Sequence, residues 1–101
     1  MSDIKRTSLF LMANLGAEVS RIISAKKKGD DMLLQLSLKK AHDMIREIEA
    51  MDDMKSRHEE IDLLSQVIDA IVKPTPGLKV DTASIKSYFM PFALRLAATR
   101  S

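Results

Sequence analysis

At 101 residues, 46% of them apolar and 30% charged, with only three Gly and three Pro, the chain has the composition of one folded domain and not of a disordered or fibrous segment. It contains no cysteine, which excludes disulfides, thiolate nucleophiles and cysteine-ligated metal centres and fits a cytoplasmic protein. Its net charge of +2 is too small to imply a partner by itself.

The first predicted helix covers residues 4–28, where Ile4, Leu11, Leu15, Val19, Ile22 and Ile23 recur at helical intervals. Lys5 and Arg6 ahead of the apolar run Leu9 to Ala13 loosely imitate a secretory leader, but Asn14 interrupts the run and the helical spacing continues beyond it. Lys26, Lys27 and Lys28 suit the carbonyl end of the helix dipole, and Gly29 suits a left-handed C-terminal cap.

A second helix, residues 31–51, is capped by Asp30 or Asp31 and carries the stripe Leu34, Leu38, Ala41, Ile45 and Ile48, widened by Met44 and Met51. After a short polar turn the third helix, residues 53–72, places Ile61, Leu64, Ile68 and Ile71 on one face. Ser56 and Glu59 have the spacing of a capping box, so this helix starts at Asp53 or at Ser56. The short connection requires the second and third helices to form an antiparallel hairpin.

Residues 73–81, KPTPGLKVD, form the clearest break. Pro76 followed by Gly77 suits a type II turn, and Asp81 then caps a last helix over residues 82–99, with Val80 and Ile85 spaced as a hydrophobic staple. Ile85, Phe89, Phe92 and Leu96 share its core face. Pro91 lacks the N–H that would bond to Ser87, so a kink is expected there. The fold expected is all-α, an antiparallel four-helix bundle whose last helix is kinked at a proline, with residues 1–101 as a single domain. No segment is apolar enough to span a membrane.

Chemistry-bearing motifs are missing. Phosphate-cradling glycine loops, Gly-x-Ser-x-Gly elbows and His-Glu-x-x-His do not occur, and the acids Asp52, Asp53, Glu59, Glu60 and Asp62 fall on a turn and a polar helix start. His42 and His58 lie at similar heights on the predicted hairpin, with Asp62 one turn beyond His58, but a metal needs three or four convergent ligands. No catalytic residue, cofactor or metal site is therefore expected, and enzymatic activity is not expected either.

Two readings remain. A basic face would form if the first and last helices are neighbours, because residues 1–29 carry six basic and two acidic groups and residues 73–101 carry five and one, while residues 30–72 are acidic. Lys5, Arg6, Arg21, Lys26, Lys27 and Lys28 would join Lys86, Arg95 and Arg100 there to contact RNA or DNA, although no aromatic residues interleave with them for base stacking.

Self-association has the broader support. The first helix is apolar around most of its circumference near Leu9, Phe10 and Met12; Leu36 lies off the core stripe of the second helix, as Met90 and Leu94 do on the last. A helix apolar on two sides sits centrally or buries its second face on another chain. If no helix of four is central, the expected function is a non-enzymatic assembly or adaptor protein that forms a homo-oligomer through these six residues. The nucleic-acid accessory role is the alternative.

Overall fold

The structure is a computed structural model that describes residues 7–74, 77 and 80–99. Four α-helices account for most of them, and no strand occurs among the described residues: α1 Ser8–Lys28, α2 Asp31–Glu49, α3 His58–Val72 and α4 Thr82–Thr99. A 3-10 helix, Asp52–Arg57, precedes α3.

Local chemistry sets most of the boundaries. The Thr7 side chain accepts a hydrogen bond from the Phe10 N–H at 3.1 Å and starts α1 at Ser8, while residues 4–6 of the expected helix lie outside the described residues. Gly29 ends it with φ 71 in the left-handed region, where its N–H reaches the carbonyls of the last turn. Asp30 caps α2 through the Leu33 N–H at 3.1 Å, and Asp81 accepts from the Ala83 N–H at 3.0 Å where α4 begins. Gly77 has φ 84, as the second central residue of a type II turn requires; Pro76 lies outside the described residues.

The start of α3 departs furthest from expectation, and α2 ends at Glu49 instead of residue 51. The capping box of Ser56 and Glu59 does not form; Arg57 stands at the N-cap of α3 and makes no side-chain cap bond. Met54 explains the change. Its side chain is buried among the core residues, and a tight 3-10 turn carries the chain inward to seat it before α3 starts at His58.

The helices pack as a bundle arranged around α1, which makes its largest contacts with α2 and α4 and also touches α3. α2 packs on α3, whereas α3 and α4 make no extensive contact with each other. One helix of the four is therefore central. This overturns the premise that none could be, and it accounts for the apolar breadth of α1 without a second chain.

Leu11, Leu15, Val19 and Ile22 of α1 form the middle of one core with Leu34, Ala41, Ile45 and Ile48 of α2, Ile61, Leu64 and Ile68 of α3, and Ile85, Phe89 and Phe92 of α4. Leu96 is only half-buried, so the α4 core face ends one turn earlier than its spacing suggests. Among the described residues, no helix is long and apolar enough to cross a membrane.

Candidate functional site

Gly16 lets α4 approach α1 closely, since no side chain separates that point of the backbone from Phe89. The outer edge of the contact is a groove of about 440 Å³ with Ala13, Ala17 and Ser20 on one wall and Lys86, Met90 and Ala93 on the other. Met90 is 54% exposed and Leu94, one turn further along α4, is 63% exposed. Small side chains thus floor a shallow trough edged by large apolar ones.

The residues expected to mediate self-association separate into four groups. Met90 is exposed on the wall of this groove, and Leu94 is exposed one turn further along α4. Leu36 is exposed on α2, where Met32 one turn earlier is 87% exposed. Leu9 and Phe10 are half-buried against the core. Met12 is the correction: at 1% exposure it belongs to the core, because it lies on the same stripe of α1 as Leu15, Val19 and Ile23. Leu63, at 54% exposure on α3, is a large exposed apolar residue that its place beside the core stripe did not single out.

The basic residues are divided as well. Lys5, Arg6 and Arg100 lie outside the described residues. Arg21 pairs with the buried carboxylate of Glu18 at 2.8 Å, and the Lys26 ammonium donates to the Val72 carbonyl at 2.7 Å. Lys27, Lys28, Lys86 and Arg95 are exposed. Contact between α1 and α4 does make the two basic segments neighbours.

A second groove, about 370 Å³, separates α3 from α4 and is walled by Leu63, Val67, Val80 and Ile85, with Glu60 and Tyr88 at its margin. The Tyr88 hydroxyl donates to Glu60 Oε2, the same oxygen that accepts from Arg57 Nη2 at 2.5 Å. Arg57 also lies over the Phe92 ring, 5.6 Å from its centroid. Arg57, and after it Tyr88, holds the Glu60 carboxyl below its ordinary range. Burial, and then Glu60, pushes the phenol of Tyr88 up. A phenol kept protonated in this way donates a hydrogen bond and is a poor nucleophile, so the trio clamps α4 to the start of α3.

The histidines take separate partners. His42 Nε2 lies 2.7 Å from Asp69 Oδ1, whereas His58 Nε2 lies 3.2 Å from the Glu49 carbonyl oxygen. They do not converge on a common ligand set as equal heights on the hairpin would allow. Instead, Glu49, His58 and Asp62 come together where α2 gives way to α3. There the neighbouring Asp62 raises the Glu49 carboxyl above its ordinary value.

No family model, curated protein or solved structure matches this chain.

Proposed function

We propose that the chain is a non-enzymatic assembly or adaptor protein, acting as one domain in the cytoplasm, which associates with a second copy of itself along the outer face of α1 and α4. The carrying observation is the exposure of Met90 on the groove lined by Ala13, Gly16 and Ala17, with exposed Leu94 one turn further along α4. Small residues let a facing helix come close, and the large apolar side chains at the edge gain most from being covered. Leu36 with Met32 on α2 offers a second apolar contact of the same kind.

In this reading the bundle is antiparallel. Ser8 near the start of α1 bonds Asp53 and Lys26 near its end bonds Val72, while His42 pairs with Asp69 and His58 with Glu49, which supports opposite directions for α2 and α3. Pro91 bends α4 and sets the angle at which Leu94 is presented relative to Phe89.

Mass measurement in solution across a wide concentration range tests the proposal. A dimer or larger assembly is expected, and a strict monomer at the highest concentration rejects it.

Adjacency of α1 and α4 favours a second reading, nucleic-acid binding through Lys27, Lys28, Lys86 and Arg95. It is the weaker one because Arg21 and Lys26 are already engaged. Affinity for RNA or DNA that falls steeply with added salt would favour it over self-association.

A further inference from the structure

The turn between α2 and α3 brings together three groups that are distant in their chemical neighbours. Glu49 is the last residue of α2 and His58 the first of α3. Asp62, four residues after His58, lies on the same face of α3. One donor atom from each of the three lies within 4.8 Å of the others. Tetrahedral bonds of about 2.0–2.2 Å put ligand atoms about 3.4 Å apart, so side-chain rotations must draw the three donor atoms together by up to about 1.4 Å to close the set.

His58 adds a separate argument. Its Nε2 faces the Glu49 carbonyl oxygen at 3.2 Å, and a carbonyl only accepts, so Nε2 carries the proton. In the neutral ring the lone pair then sits on Nδ1, which lies 3.7 Å from Glu49 Oε2. A lone pair and a carboxylate facing each other are balanced by a positive charge between them, which either a proton on Nδ1 or a metal ion supplies. Fixing one ring nitrogen on a backbone carbonyl is also the usual way an imidazole is held to present the other to a metal.

The nearby side-chain cations are committed elsewhere. Lys55 pairs with Asp52, Arg57 with Glu60 and Arg46 with Asp43. Among the described residues no Lys or Arg pairs with Glu49 or Asp62.

We propose that Glu49, His58 and Asp62 bind a divalent first-row transition metal, with Zn2+ the best fit. One imidazole nitrogen and two carboxylates suit Zn2+ better than Mg2+ or Ca2+, which prefer all-oxygen sets. Three protein ligands leave the fourth position to water, as expected of a site at the surface. His42 serves as an internal control, since it has Asp69 as its partner and, among the described residues, no third donor.

The test is titration of the metal-free full chain with Zn2+ in competition with a chromophoric chelator. The expected result is one ion per chain, not displaced by excess Mg2+. His58→Ala and Asp62→Asn should each weaken binding by about 10- to 100-fold or more, since losing even an outer-shell partner of a metal costs that much. His42→Ala should leave it unchanged. Asp62 is exposed, so Asp62→Asn keeps the fold and preserves the test if His58→Ala does not. Absence of Zn2+ binding by the parent chain overturns the proposal. So does binding that survives Asp62→Asn in a folded protein, or that disappears with His42→Ala alone.

Discussion

A β-carbon placed on Gly16 would lie 2.8 Å from both Cβ and Cγ of Phe89, closer than two carbons can stand. Those Phe89 atoms sit at the base of the side chain, so rotation cannot clear them and α4 itself must shift. Ala in place of Gly at a helix interior gains about 1 kcal/mol of propensity, whereas overpacking a tight contact costs about 1–3 kcal/mol. Gly16→Ala should therefore be destabilising by about 1 kcal/mol, read as a lower urea midpoint with an unchanged slope. A more stable variant would mean that the contact between α1 and α4 gives way easily.

Glu18 tests how the centre of the bundle tolerates charge. Its side chain is 7% exposed, Arg21 holds one carboxylate oxygen at 2.8 Å, and the other oxygen is buried with no hydrogen-bond partner. Removing one member of such a pair strands the other, whereas replacing the acid by an apolar residue of similar volume removes the desolvation cost. Arg21→Ala should cost about 1–3 kcal/mol, less than a fully buried pair because the guanidinium is half exposed, and Glu18→Met should be neutral or stabilising. Denaturant unfolding of both variants checks the sign of each.

Features controlled by neighbours in the chain were legible in the sequence. Gly29, Asp30 and Asp81 act as caps because capping depends on a few adjacent groups, and α4 occupies the residues its spacing predicts. Features controlled by packing were not. Met12 is buried on the stripe it shares with Leu15, Val19 and Ile23, whereas the burial of the charged Glu18 follows from how the helices pack around α1, which helical periodicity does not reveal. The start of α3 moved because Met54 is drawn into the core, a tertiary effect that overrides the capping-box spacing. His58 and Asp62 were visible as a pair from their spacing on one helix, but Glu49 joins them only through the path of the intervening turn.

The contact of Glu60 with Arg57 and Tyr88 predicts opposite pH limbs. Glu60 has its folded pKa below the unfolded value of about 4.3. Its contribution is therefore complete above that pH and is lost as the pH falls through the folded value. Tyr88 has its folded pKa above the unfolded value of about 10, so its contribution is complete below that pH and is lost as the pH rises further. Asp43 and Asp81 are also held low and add to the acid limb, while Glu49 is raised and opposes it. The informative measurement is thus the difference between variants. Glu60→Gln should flatten the stability profile below about pH 4, and Tyr88→Phe should remove the decline above about pH 10 while keeping the edge-on ring contact with Phe89. An unchanged profile in both would mean that the trio contributes nothing to folding.

Pro91 lies within the helical span of α4, between exposed Met90 and buried Phe92, and cannot donate the hydrogen bond that the Ser87 carbonyl would otherwise accept. Pro91→Ala restores that donor and removes the ring, and a helix interior favours Ala over Pro by about 3 kcal/mol. Part of that gain should appear as stability, because Pro91 is exposed and its replacement leaves no cavity. If Pro91 bends α4 as proposed, its replacement also turns Leu94 relative to Phe89, which lies against Gly16. If Met90 and Leu94 mediate self-association, Pro91→Ala should weaken assembly while raising the unfolding midpoint. Met90→Ala with Leu94→Ala should weaken assembly with little change in folding, since both side chains are more than half exposed. Sedimentation and denaturant unfolding of the same samples separate the two effects. Assembly unchanged in every variant would remove the α4 face from the interface, and a more stable Pro91→Ala variant with unaltered assembly would leave the proline with an effect on helix stability alone.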